Sequence, residues 1–228
     1  MGTRYFTPKL FGFLKDLAEN NDREWFKANQ DAYENYVREP ALEFINDFTG
    51  PLKGISEFFA TDSRTVGGSL FRIQRDTRFS KDKTPYKTSA SASFRHERGK
   101  DVHAPGLYLH LEPKGVFLGG GIWRPDGKVM RKIRDALVAD PKGWRRCTSG
   151  KGFRDGWELG GESLKRAPRG YDPEHPLVED LKRKSFVAFK KLTEKDVCQP
   201  GFVAAYVRHC RGISPFLKFL TAATGVPW

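Results

Sequence analysis

The chain reads as an α+β protein, with N-terminal helices packed on a mixed or antiparallel sheet and further helices toward the C-terminus. Three observations predict this. Apolar residues recur with helical spacing through the first quarter, the period changes to two from Ser69, and helical spacing returns after Asp126 and again after Phe202. Helices and strands are thus grouped apart instead of alternating as βαβ units. No Ser/Gly/Pro linker, low-complexity tract or internal repeat divides the 228 residues, so a single domain over residues 1–228 is expected. With 38% hydrophobic residues and 18 phenylalanines, the chain can build a packed interior without staples.

Thr7 followed by Pro8 fits an N-cap and first helical position, and Leu10, Phe13, Leu14 and Leu17 follow at i, i+3, i+4 and i+7. Asn21 with Glu24 three residues on resembles a capping box, which opens a second helix with Phe26, Tyr33 and Val37 on one stripe. Pro40 interrupts it, because proline lacks a donor and disfavours helical geometry at Glu39. Ala41, Phe44, Ile45 and Phe48 then mark a third helix.

Strand patterns follow. Phe71 and Ile73 alternate with Arg72 and Gln74, and Ala90, Ala92 and Phe94 alternate with Ser91 and Ser93. Leu107, Leu109 and Leu111 occupy one face of a strand, with Tyr108, His110 and Glu112 on the other. Pro113-Lys114-Gly115 suits a turn, from which residues 116–118 return as a hairpin partner that Gly119, Gly120 and Gly121 end. A helix capped by Asp126 carries Val129, Ile133, Ala136 and Leu137 and is expected to pack on the sheet. Beyond it come a loop-rich span to Gly170, a short helix after Pro176, a strand at residues 186–189 and apolar helices over residues 202–223.

The formal charge of +12 attracts polyanions whether or not they are the partner, so the location of the charge matters more than its sum. Cys147, Cys198 and Cys210 are odd in number and widely spaced, which argues against a disulfide framework or a zinc knuckle and for a reducing, cytoplasmic setting. The N-terminus carries Pro8 and Lys9 and lacks the apolar core of a signal peptide, and no apolar run has the length of a membrane span. Neither a membrane nor a cofactor is expected as a partner.

The densest anomaly is residues 72–88, where six cations occur with only two carboxylates. Arg72, Arg75, Arg78, Lys81, Lys83 and Lys87 stand among the hydroxyls of Ser80, Thr84 and Thr88, the donor set that a phosphate or carboxylate requires. The bland alternative is that Asp76 and Asp82 pair with neighbouring cations and stiffen a loop. Asp76 is also the one weak candidate for a general base. A second basic loop holds Lys165, Arg166 and Tyr171; folded against the first, it would complete the pocket, and otherwise it is a solvated turn. Gly119-Gly120-Gly121 is not followed by Gly-Lys-Ser/Thr and reads as a sheet bend under Trp123 and Pro125 sooner than as a phosphate loop. His110 and Glu112 lack an identifiable third ligand, so no metal is expected.

These segments also carry a resemblance. Asn20-Asn21-Asp22-Arg23-Glu24-Trp25-Phe26, the run from Arg75 through Lys87, Gly119-Gly120-Gly121-Ile122-Trp123 and Leu164-Lys165-Arg166-Ala167-Pro168-Arg169-Gly170-Tyr171 together resemble the bacterial family of domain of unknown function 2461. The resemblance extends in order over nearly the whole chain. It brings no substrate, cofactor or catalytic residue with it, so function rests on side-chain chemistry.

Three readings follow from the residues. The first is a site for a phosphorylated or other anionic small molecule or nucleotide, built from both basic loops and open to catalysis. The second is a nucleic-acid-binding module in which the same cations meet phosphates while Tyr86 or Tyr171 stacks on bases. The third is a structural or protein-interaction role for an ion-paired basic motif. Oligomeric state is not legible.

Overall fold

A computed structural model describes residues 2–64, 67–98 and 104–228. Six strands form one antiparallel sheet in the order β1-β2-β3-β4-β6-β5. They are β1 (Phe59–Ala60), β2 (Ala90–His96), β3 (Gly106–Leu111), β4 (Phe117–Ile122), β5 (Trp157–Gly160) and β6 (Phe186–Lys191). The N-terminal helices are α1 (Pro8–Glu19), α2 (Arg23–Ala28), α3 (Gln30–Tyr33) and α4 (Glu39–Lys53). Between and after the strands lie α5 (Gly127–Ala139), α6 (Pro141–Ser149), α7 (Lys151–Arg154), α8 (Val178–Leu181), α9 (Glu194–Val197) and α10 (Phe202–Thr224). This is the α+β arrangement, with the sheet antiparallel throughout.

Period-two patterning sends Ala92, Phe94, Leu107, Leu109 and Leu118 to one face, where all are buried. That face meets α4 and α10. The ring of Phe94 lies 4.8 Å from Phe48 and 5.9 Å from Tyr206, and Phe44 contacts Phe6, Phe48, Phe202 and Tyr206. The opposite face carries Ser93, Arg95, Tyr108, His110, Phe117 and Phe189, a mixture of hydroxyls, charge and aromatic rings. None of these six is fully buried.

Several elements differ from the sequence expectation. The cap of α2 is Asp22, whose carboxylate accepts from the backbone N–H groups of Glu24 and Trp25. Asn21 instead reaches the basic segment. Pro40 does not break the helical path: it sits in the first turn of α4, and a π turn (Glu34–Arg38), closed by Glu39 N–H to Glu34 O, leads into it. Phe71 and Ile73 belong to an extended segment with isolated bridges only, Leu70 to Ala92 and Gln74 to Tyr86. Gly119, Gly120 and Gly121 do not end a strand but form the middle of β4, paired on both sides. Their amides therefore serve the sheet.

Gly120 on the core face admits α10, since an added Cβ would stand 3.0 Å from Ile213 Cδ1. The helix with Val129 and Ile133 is capped by Asp126, as its pattern implies, but packs against α10 and α6. The span to Gly170 contains α6, α7 and β5, and residues 202–224 form one helix that passes Pro215 without interruption. No helix among the described residues is long and apolar enough to cross a membrane. The three cysteines are free thiols.

Candidate functional site

The basic segment folds back on itself as an irregular hairpin. Arg75 N–H donates to Pro85 O at 2.8 Å and Lys87 N–H to Ile73 O at 2.8 Å. Asn21 anchors it from the α1–α2 junction: its Oδ1 accepts from Tyr86 N–H and its Nδ2 donates to Tyr86 O, both at 3.0 Å. Tyr86 in turn stacks on Phe26 with centroids 4.1 Å apart. That ring is committed to the interior and is not free to stack on a base.

Within the hairpin most cations have found partners. Arg75 binds Asp82 and Thr84 through one guanidinium nitrogen. Arg78 grips Asp76 with Nε at 3.0 Å and Nη2 at 2.7 Å. Lys83 donates to Thr77 O, and Lys87 to Arg72 O. The Arg78 hydrogen bond holds Asp76 below the usual carboxylate range, which weakens it as a base. Hydrogen bonds from Arg75, then from Thr84, bring Asp82 down to about 2.

Because Asp82 is depressed on folding, its contribution to stability is present above the unfolded pKa of ~3.9 and is lost as pH falls toward about 2. The Asp82→Asn variant should therefore be less stable than wild type at pH about 7, and the gap should narrow as pH falls from about 4 and close near pH about 2. Thermal midpoints of both proteins between pH ~2 and ~7 measure this; a gap that stays constant contradicts it.

Arg72 and Lys81 are the cations of this segment whose side chains make neither a salt bridge nor a hydrogen bond among the described residues, although the charge of Arg72 is felt by Asp76. Lys81 projects into solvent at the loop, beside the fully exposed Phe79. Arg72 has a different setting. It lines a cavity of about 820 Å³ between the π turn, the edge of β2 and the extended segment. Among the described residues, four arginines line that cavity (Arg38, Arg64, Arg72 and Arg95) against three carboxylates (Glu34, Asp62 and Glu97), a net charge of +1 by difference. Arg38 holds both oxygens of Glu34 at 2.7 Å, and Arg64 holds Asp62 at 2.6 Å. Among the described residues lining this cavity, Arg72 and Arg95 thus face Glu97, and Arg72 is also drawn to Asp76, whose carboxyl it helps to hold down. Burial, then the charge of Arg72, lowers the Lys87 pKa, so the cations at this corner work against each other.

A second cavity, about 700 Å³, lies over the open face of the sheet and shares Phe71, Ser93 and Arg95 with the first. Gly106, Gly119 and Gly121 form its floor; Tyr108, Phe117 and Phe189 stand beside them. Trp123 is 58% exposed at this cavity with Arg124 over its ring, where the sequence suggested a packed cover. Tyr108 is fixed by a chain of side chains: its OH lies 3.1 Å from His110 Nδ1, and His110 Nε2 lies 3.2 Å from Glu112 Oε2. Thr88 donates to the other Glu112 oxygen, and Ser91 Oγ also reaches His110 Nδ1. Among the described residues no group of three His, Cys, Asp or Glu is placed to hold a metal ion.

The second basic loop lies elsewhere. Ser163 bridges Arg183 beyond β5, at the sheet edge opposite Leu70. Five strand spacings separate these edges, roughly 24 Å along the sheet. Lys165 and Arg166 are solvent-exposed there, and Tyr171 donates to Asp135 of α5 at 2.7 Å. Burial, then Asp135, pushes Tyr171 up to about 12. The structure therefore does not bring Lys165, Arg166 and Tyr171 to residues 72–87. Instead it brings Arg95 to Arg72. The sequence hides Arg95 as one outward residue of an alternating strand; its mismatch with the small Ser91 and Ser93 on the same face is the only signal.

A family model described as "Conserved hypothetical protein (DUF2461)" matches residues 9–219. No curated protein and no solved structure matches the chain.

Proposed function

Since the chain belongs to the DUF2461 family, whose description carries no activity, its chemistry has to be read from the site, and we propose that it binds an anionic, phosphorylated small molecule at Arg72 and Arg95. The observation that carries this is a division of labour among the cations. Arg75, Arg78 and Lys83 are consumed within the hairpin, whereas Arg72 and Arg95 line one cavity in which, among the described residues, Glu97 is the carboxylate without a salt bridge. An anion there would relieve the repulsion between Arg72 and Lys87 and could accept from the planar guanidinium groups that line the cavity. The ion-paired part of the motif serves as scaffold: it stiffens the loop and fixes the backbone from which Arg72 and Lys87 extend.

Calorimetric titration with ribose 5-phosphate tests this reading. Saturable binding is expected, weakened about 10- to 100-fold in Arg95→Ala, the range for losing a hydrogen bond to a charged group. Arg78→Ala should bind within about threefold of wild type. The opposite ranking of the two variants contradicts the assignment.

A further inference from the structure

We propose that the ligand is a nucleoside phosphate, its base lying in the aromatic cavity over β4 and its phosphate at Arg72 and Arg95. This rests on the anion site proposed above and adds the class of molecule that site takes. Four observations support it.

The two cavities adjoin, since Phe71, Ser93 and Arg95 belong to the walls of both. One molecule can occupy them together. The floor of the second cavity has backbone without side chains at Gly106 and Gly121, which stand opposite each other, while Tyr108 and Phe189 border Gly119 and Val187 flanks Gly121. A flat ring can lie on such a floor, whereas side chains there would hold it off. The surrounding rings are aromatic: Tyr108 and Phe117 are 5.8 Å apart, Phe117 and Phe189 are 5.5 Å apart, and Phe71 lies 6.1 Å from Tyr108. Base–aromatic stacking needs surfaces of this kind.

Tyr108 supplies a polar handle. Its hydroxyl and that of Ser91 both reach His110 Nδ1, at 3.1 and 3.0 Å, while His110 Nε2 lies 3.2 Å from Glu112 Oε2, so the phenol is held within a hydrogen-bonded cluster. The phenolic oxygen then retains lone pairs for an exocyclic amino group. Burial raises the Tyr108 pKa, which keeps the phenol protonated in this role. The charged groups around it are Glu112 on its own strand and Arg95 on β2, with Lys87 seated 5.5 Å over the Phe71 ring.

Spacing distinguishes a nucleotide from a ring that carries its phosphate on a one-carbon arm. Gly121 on β4 and Arg95 on β2 both pair with Gly106, which puts them two strand spacings apart, or about 10 Å, and Gly119 lies two residues further along β4. A ribose between ring and phosphate bridges such a gap.

Calorimetric titrations with AMP, ribose 5-phosphate and adenosine, on wild type and on Phe71→Ala, test the inference. Phe71 is 38% exposed and outside the strands, so its replacement leaves the fold in place. AMP is expected to bind at least about tenfold more tightly than ribose 5-phosphate, with most of that advantage lost in Phe71→Ala. In NMR spectra of the AMP complex, adenine protons should contact the ring protons of Tyr108 or Phe117. Equal affinities for AMP and ribose 5-phosphate, or an adenine without those contacts, overturn the nucleotide assignment and leave the anion site standing. If neither phosphate binds saturably, the anion site fails as well.

Discussion

Replacing Gly121 with valine is expected to destabilise the protein by more than about 3 kcal/mol, enough to threaten folding of a domain of ordinary stability. Two costs combine at this position. The backbone has φ of +128°, a conformation that side-chain-bearing residues rarely adopt. An added Cβ would also stand 2.1 Å from Phe186 O and 2.9 Å from Val187 Cα, so β6 itself would have to move. Gly119 supplies the contrast, because there an added Cβ meets only side-chain atoms, Tyr108 Cβ at 3.3 Å and Phe189 Cδ1 at 3.6 Å. Gly119→Ala should lose about 1 kcal/mol or less. Urea denaturation of both variants measures the difference, and near-equal midpoints would contradict the geometry.

Phe44→Ala is expected to cost about 3–5 kcal/mol, the range for deleting a buried aromatic ring. Phe44 is 1% exposed and stands where four parts of the chain meet: Phe6 before α1, Phe48 on its own helix, Phe94 on β2, and Phe202 and Tyr206 on α10. No neighbour can fill the space without breaking one of those contacts. The loss bears on the site because β2, which carries Ser93 and Arg95 on its open face, is fixed from behind by this cluster. A conservative Phe44→Leu change should recover more than half of the lost stability in the same denaturation experiment. A Phe44→Ala protein within about 1 kcal/mol of wild type would show that the cluster does not hold the sheet.

Elements built by local rules were legible in the sequence. The stripe Leu10, Phe13, Leu14 and Leu17, the alternation around Leu107, Leu109 and Leu111, and the Asp126 cap all appear in the fold where the pattern puts them. What was missed depends on partners distant in the chain. Asn21 has capping chemistry, yet its amide clamps Tyr86, 65 residues away. The triple glycine resembles punctuation until α10 is seen against one side of β4 and an open cavity against the other. In β5, a run of only Trp157, Glu158, Leu159 and Gly160 is too short for its period to stand out.

The basic motif shows the same limit more sharply. Its charge excess was plain, but which cations are spent depends on the hairpin that brings Asp82 to Arg75 and Thr84. Composition treats Arg72, Arg75 and Arg78 alike. Geometry separates Arg72 from the other two and joins it with Arg95, which lies outside the motif altogether.

That separation is the central claim, and side-chain NMR of the arginine Nε–Hε groups during titration with inorganic phosphate tests it most directly. The signals of Arg72 and Arg95 should shift saturably, with one common midpoint, while those of Arg75 and Arg78 stay where Asp82 and Asp76 hold them. Saturable shifts of Arg75 and Arg78 with Arg72 and Arg95 unmoved would contradict the account, as would shifts that grow linearly for all four.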